Sequence, residues 1–418
     1  MAQRPKKPVD PRDALIDEFL SKAEFKVNSA EDIQEQIRYF ASRLFNRTLE
    51  SELDQHLGYS KREAKPSGQE NERNGHTSRN VQSDVGDIEL NVPRDRDSSF
   101  EPTIVKKYQR RLPGIDEKIL GLYARGMSTR EIRDFFKEQY GADVSPDLVS
   151  QVTEDVLLDI EAWQKEPLEG MYPIVYFDAI RIKIRDDDRV VRPKAVYIAL
   201  GVTTEGLKRV LGLWITVNET AKMWLQIFNE LKHRGLSDIL IAVTDGLAGL
   251  PEAMQAAYPQ TKHQTCIVHM IRNSLKWVAW QDYKAVTREL KTIYQAATEP
   301  LAKSALAAFT KSEVGKKYPE IVKQWKANWD RVIPFFEFSE PIRRIIYTTN
   351  AIEAMNRQIR KGIKTRSVFP NDQSALKLVW LVLMNCQKKW DKPPYRWRQA
   401  KQEFAILFDD RFTRFCTD

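Results

Sequence analysis

The sequence predicts a multi-domain α/β protein: a mixed sheet flanked by helices, an all-helical insertion within it, and an N-terminal helical region ahead of it. Three observations carry that expectation. Apolar runs at Tyr172–Ile184, Ala195–Val202, Val210–Val217 and Asp238–Val243 lack helical spacing and read as buried strands. Helical patterns lie between the later runs, as the crossovers of a mixed sheet require. From about residue 275 to 345 strand patterns vanish and only helical spacing remains.

Composition narrows the function classes. The 418 residues allow several domains of roughly 100–200 residues each. Hydrophobic residues make up 42%, enough for sizeable cores, and a formal net charge of +8 favours a polyanionic partner, nucleic acid foremost. Cys266, Cys386 and Cys416 are an odd, scattered set, which argues for a reducing compartment rather than a disulfide scaffold. Residues 1–13 hold no apolar core and no uninterrupted apolar run of about 18 residues occurs, so the expectation is a cytoplasmic protein without a membrane segment.

Residues 1–59 read as amphipathic helices, on Ala14–Leu20 and then on Ile33, Ile37, Phe40, Leu44 and Leu49, stopping at Gly58. Their mixed-charge face suits either solvent or a dimer seam. Residues 60–112 read as a linker: Ser60–Arg79 is almost wholly polar, Ile88, Leu90 and Val92 alternate as one short strand, and Lys106, Lys107, Arg110 and Arg111 form a basic cluster that suits either a solvated face or phosphate contacts.

Residues 113–165 carry the pattern of a helix-turn-helix. Ile115, Ile119, Leu120 and Tyr123 make one apolar face that stops at Gly126. Ser128 with Glu131 three residues on opens a second helix, which Gly141 ends. Ser145 and Pro146 open a third through Val149, Val152 and Val156, of the kind that can enter a major groove. Small three-helix units also serve as plain packing modules.

Residues 171–274 hold the strand runs, a helix from Thr220 to Lys232, another from Leu250 to Ala257, and a last strand around His263–Val268. Three adjacent strands followed by helix, strand, helix and strand is the arrangement of a ribonuclease H-like domain. In 275–345, Trp277, Trp280, Leu290, Ile293, Leu306, Phe309, Ile321, Trp325 and Trp329 are spaced as in a helical bundle. Residues 346–418 return to the core with an apolar helix at Ala375–Cys386 and a polar, basic, aromatic tail.

The chemistry is read from three acids. Asp178 stands in an apolar strand, where a carboxylate is costly unless something cationic meets it. Asp245 follows a parallel strand at its carboxyl end, the place where open α/β sheets put their ligands. Glu353 lies near the start of a helix in YTTNAIEAMNRQIRKGIKTR. Three acids from distant positions are what a two-metal phosphoryl-transfer site needs, and carboxylate oxygens suit hard Mg²⁺, with Mn²⁺ able to substitute. Arg357, Arg360, Lys361 and Lys364 follow Glu353 at spacings that keep them near it on the helix, as a phosphate path would. Cys266 and His269 form a C-x-x-H pair; with His263 it falls one ligand short of a structural zinc site.

The segments YFDAIRIKIR, VTDGLAGLPEAM, QTCIVHMIRNSLK and YTTNAIEAMNRQIRKGIKTR closely resemble the Mutator-like group of bacterial insertion-sequence transposases. The resemblance spans nearly the whole chain. It implies a DDE transposase with a ribonuclease H-like core interrupted by a helical insertion, and Asp178, Asp245 and Glu353 as the metal-binding triad. It implies the group's C-x-x-H motif at Cys266 and His269, double-stranded DNA as partner through terminal inverted repeats and target DNA, and a homodimer on DNA. Met355, inside the third motif, receives no role. The competing readings are a helix-turn-helix regulator on an inactive scaffold of this fold, and a structure-specific nuclease.

Overall fold

The computed structural model describes Glu18 and residues 29–83, 85–107, 109–347 and 350–416, with backbone alone at 30, 113 and 350–353. The helix expected at Ala14–Leu20 lies, apart from Glu18, outside the described residues. The chain forms two compact units, Met1–Ile119 with Thr129–Val149, and Leu120–Ser128 with Ser150–Asp418.

In the first unit, helix α1 (Ala30–Leu57) starts at a reciprocal cap. Ser29 Oγ accepts from the Asp32 amide while the Asp32 carboxylate accepts from the Ser29 amide, so two donors that the first turn would strand are satisfied. It stops at Gly58, whose φ of 79° turns the chain out of the helix. An antiparallel hairpin follows, β1 (Arg73–Ser83) and β2 (Gly86–Asp95). Val81, Ile88 and Leu90 pack with Val105 and Leu112, and Phe45 of α1 covers them. The hairpin corrects the reading of Ser60–Arg79 as linker throughout: the first half of β1 is mostly exposed, so its polar residues hid a strand that backbone pairing alone supports.

Three helices come next, α2 (Pro113–Ala124), α3 (Thr129–Tyr140) and α4 (Pro146–Lys165). The punctuation is as the sequence implied. Gly126 and Gly141 take φ of 95° and 61°, and Ser145 Oγ accepts from the Leu148 amide at 3.1 Å to cap α4. The division between the two units runs through α2 and α4.

The second unit is built on a five-stranded mixed sheet in the order β5-β4-β3-β6-β7. Its strands are β3 (Met171–Arg185), β4 (Val191–Val202), β5 (Lys208–Thr216), β6 (Asp238–Thr244) and β7 (Lys262–Thr265). β3, β4 and β5 pair antiparallel; β6 and β7 add in parallel to β3. Helix α5 (Ala221–His233), capped by Thr220, and helix α6 (Leu250–Ala257) bury one face of the sheet. At its centre Trp224 is fully buried and meets Phe177 and Tyr197 edge-on.

The last strand is shorter than expected. β7 ends at Thr265 because Cys266 is already the cap of helix α7 (Ile267–Leu275). The chain then runs, strand-free among the described residues, through α8 (Tyr283–Tyr294), α9 (Glu299–Lys311), α10 (Glu313–Lys317), α11 (Pro319–Ala327), α12 (Trp329–Val332) and α13 (Glu340–Tyr347). Leu290, Ile293, Leu306, Phe309, Ile321, Trp325 and Trp329 are among its buried residues. Trp277 and Trp280, expected among them, are instead 60% and 87% exposed: Trp277 lies in the turn after α7 and Trp280 opens a short 3-10 helix (Trp280–Asp282) ahead of the next helix.

Helix α14 (Asn350–Lys364) and helix α15 (Asp372–Gln387) bring the chain back to the sheet. The tail also differs from expectation: α16 (Trp397–Phe408) and α17 (Asp410–Thr413) pack onto the core. Trp397 Nε1 donates to the Thr204 carbonyl at 3.1 Å, and Arg411 grips Asp238 through two bonds of 2.8 and 3.0 Å.

Candidate metal centre

The register of the parallel strands sets the site. Phe177 of β3 pairs with Thr244 of β6, and Thr244 pairs with Thr265 of β7. One residue further on stand Asp178, Asp245 and Cys266, level with one another at the carboxyl edge of the parallel strands. The Cys266 amide donates to the Thr244 carbonyl at 2.8 Å, which holds the start of α7 against this edge.

Asp178 is only 4% exposed. Its Oδ1 accepts from the Ala179 amide at 2.8 Å, and its Oδ2 accepts from Nδ2 of Asn356 on α14. Asp245 is more open, at 35%. The loop after it turns through Gly246 and Gly249, both at positive φ. A Cβ on Gly249 would lie 2.4 Å from the Ala221 amide nitrogen, so the loop can lie this close to α5 only with glycine there. His269, one turn into α7, brings Nδ1 to 3.5 Å from Asp245 Oδ1. Asp178, Asp245 and His269 each present one ligand atom, all within 4.8 Å of one another.

Burial holds the Asp245 carboxyl above its usual range; His269 opposes the rise, Asp178 adds to it, and Arg272 and Lys276 oppose it. Burial likewise pushes the Cys266 thiol up to about 12, against the pull of the His269 and Val268 amides. The Cys266 thiol is therefore neutral at neutral pH. His263 is 2.8 Å from the Thr244 hydroxyl. Among the described residues neither it nor Cys266 joins the metal-capable group.

Glu353 belongs to α14 by its backbone, but its side chain lies outside the described residues. Helix α14 is strapped to β3 at three levels. The Tyr176 hydroxyl donates to the Ile345 carbonyl at 2.9 Å just before it, Asn356 donates to Asp178 within it, and Phe369 pairs with Lys183 and Arg185 beyond it. Arg357, Arg360, Lys361 and Lys364 are all exposed. Lys106, Lys107 and Arg110 are exposed in the other unit, where Arg111 is half-buried and 3.4 Å from Asp116.

Sequence reasoning missed Asn356. It sits in a run of polar and basic residues, where an amide looks like surface. The available signal was the helical spacing of Met355, Ile359 and Ile363, which marks a buried face with Asn356 at its border. Met355, 1% exposed, packs on that face.

Residues 14–393 match the family described as "Transposase, Mutator family". The chain belongs to the Mutator family of transposases. It is 50% identical over 369 residues, 88% of this chain and 91% of the relative, to the transposase for insertion sequence element ISRM3 of Rhizobium meliloti. It is 41% identical to a probable insertion-sequence transposase of Corynebacterium diphtheriae, over 78% of this chain and all of the relative. To the transposase for insertion sequence element IS256 in transposon Tn4001 of Staphylococcus aureus it is 29% identical, over 83% of this chain and 89% of the relative. Membership makes the chain a DNA-processing enzyme and suggests a divalent cation. The donor set fits such an ion: two carboxylates from adjacent strands, an imidazole within reach, and a buried amide oxygen of Asn356 that has no partner among the described residues. No helix among the described residues is long and apolar enough to cross a membrane.

Proposed function

We propose that this Mutator-family transposase binds the terminal inverted repeats of its element and catalyses Mg²⁺-dependent DNA cleavage and strand transfer at a DDE centre of Asp178, Asp245 and Glu353. The observation that carries the reading is the level placement of Asp178 and Asp245 on adjacent parallel strands, with His269 beside them. The mixed sheet interrupted by helices supports a ribonuclease H-like core running over 171–274 and 346–418, with 275–345 as its insertion.

Bound Mg²⁺, or Mn²⁺ in its place, supplies Lewis-acid charge stabilisation for phosphoryl transfer. The protein's part is positional. Asp178 and Asp245 hold two carboxylates at one edge, Asn356 fixes the first by hydrogen bond, and α14 carries Glu353 on the segment tied to β3. Arg357, Arg360, Lys361 and Lys364 hold phosphates along the approach, and His269 stands beside Asp245 with its imidazole in reach of the same ion.

Recognition of the ends falls to residues 1–165. The helix-turn-helix of 113–165 reads bases through α4, while Lys106, Lys107, Arg110 and Arg111 of 60–112 hold phosphates. The helices of 1–59 make the seam of a homodimer on DNA; Ile33, Ile37 and Leu44 on α1 are exposed at 50%, 46% and 68%. The protein works in the bacterial cytoplasm at the nucleoid.

The test is incubation of the full-length protein with duplexes bearing the DNA that flanks its coding region, with and without Mg²⁺. Metal-dependent cutting followed by joining of the 3′ end to a second duplex is expected. Cutting without joining would favour a nuclease, and binding without cutting a regulator.

A further inference from the structure

A second cationic feature lies in the same unit, on the C-terminal half of α14. Between that half, the end of α2 and the end of α15 runs a cleft of about 590 Å³, whose rim carries Arg125, Lys361, Lys388 and Lys389. Gln358 and Asn385 line it too, and no carboxylate does. Some cations elsewhere in this unit meet acids: Lys194 lies 2.6 Å from Asp186 and 2.8 Å from Asp372, and Lys401 lies 2.7 Å from Glu205. Among the described residues none of the four rim cations has an acidic partner. Four like charges around one concavity repel one another.

The walls are fixed by other groups. A Cβ on Gly362 would lie 3.3 Å from the Ala124 carbonyl and 3.3 Å from a Leu378 methyl, so glycine lets the three helices close in. Thr365 Oγ1 and Arg366 Nε donate to the Gly126 carbonyl at 3.0 and 3.2 Å, and the Arg366 guanidinium lies 4.2 Å from the centre of the Tyr123 ring. The cleft is thus held open by residues other than its cations, which stay available to a ligand.

We propose that this cleft is a phosphate-contact site for the DNA backbone, taking a stretch of sugar-phosphate beside the strand that α14 presents to the carboxylates. It rests on the DNA-processing reading above, and adds to it a contact that Lys361 shares with Arg125, Lys388 and Lys389. Fixed walls, ammonium and guanidinium groups on one rim and two polar amides suit a phosphodiester. The space takes a nucleotide or two, so the rest of a duplex lies outside it.

Cys386 lines the cleft half-buried and gives a direct reporter. In full-length protein, bound duplex of arbitrary sequence is expected to slow alkylation of Cys386 several-fold, read peptide by peptide, while Cys416 reacts as before. In the Lys361→Gln/Lys388→Gln/Lys389→Gln variant, the slope of log affinity against log salt should become shallower by about two to three, at roughly 0.9 per lost phosphate contact. Unchanged alkylation of Cys386 on DNA-bound wild-type protein would overturn the proposal, as would a wild-type slope in the variant. Equal protection by inorganic phosphate alone would overturn it in favour of a free-anion site. Wild-type protein that binds no duplex at all would instead sink the DNA reading itself.

Discussion

Asn356 of α14 donates a hydrogen bond to Asp178 of β3, although 178 residues separate them in the chain. The amide is 6% exposed and its Oδ1 has no partner among the described residues, so one end fixes a carboxylate oxygen while the other is a buried acceptor at the same edge. A buried carboxylate that loses its donor costs about 1–3 kcal/mol, and loss of a group that orients a metal ligand typically costs 10–100-fold in metal affinity. Asn356→Ala should therefore lower the melting temperature and weaken Mn²⁺ binding, both read by thermal shift across a metal titration. Asn356→Asp should lower metal-free stability further, through like charge beside Asp178, yet show the larger rise on adding metal. Identical metal titrations in all three proteins would mean that Asn356 only packs.

The raised Asp245 carboxyl gives a pH dependence whose sign is fixed. A carboxyl whose folded pKa lies above its unfolded one favours the fold at low pH and loses that contribution as pH rises through the folded value. Charged Asp245 beside Asp178 thus destabilises the metal-free protein at neutral pH, and a divalent cation relieves it. Asp245→Asn should raise the melting temperature without metal and abolish most of the rise that metal brings. In wild-type protein that rise should shrink as pH falls from 7 toward the carboxylate range. A metal effect that is constant with pH would exclude Asp245 as a ligand.

His269 lies 3.5 Å from Asp245 as a nitrogen donor in an otherwise oxygen set. Imidazole suits transition ions better than Mg²⁺. His269→Ala should therefore weaken Mn²⁺ binding by about tenfold or more while changing Mg²⁺ binding less. Calorimetric titration with each ion checks it; equal losses for both ions would assign His269 to Asp245 alone.

Much of this site was legible in the sequence, for physical reasons. Asp178 stood out because a charge in an apolar strand needs an explanation, and Asp245 because it followed a strand directly. The parallel register that sets them side by side was inferable only as topology. Asn356 was hidden because its only signal was a place at the border of the face of Met355, Ile359 and Ile363, and β1 because backbone pairing can hold polar residues in a strand. Trp277 and Trp280 misled for the opposite reason: an aromatic residue is read as core, and only the turn and short 3-10 helix after α7 show that these two face solvent.

The core beneath the site should be coupled to it. Trp224, fully buried, meets Phe177, the residue before Asp178, edge-on at 5.8 Å between ring centres. Trp224→Ala should cost about 3–5 kcal/mol of stability by leaving a cavity. It should also weaken metal binding through the loosened strand. Calorimetric unfolding paired with a metal titration tests both, and a stability loss with unchanged metal affinity would show that β3 holds its register without this contact.

The central claim is that Asp178, Asp245 and Glu353 do the chemistry and are dispensable for binding DNA. Its most direct test is Mg²⁺-dependent cleavage and strand transfer on end-bearing duplexes by Asp178→Asn, Asp245→Asn and Glu353→Gln, with binding measured on the same preparations. Each change keeps side-chain shape and removes the charge that a cation requires. Loss of both reactions in all three variants, with wild-type or slightly tighter binding, is the expected result. Near-wild-type cleavage by any one of them would contradict the claim at that residue.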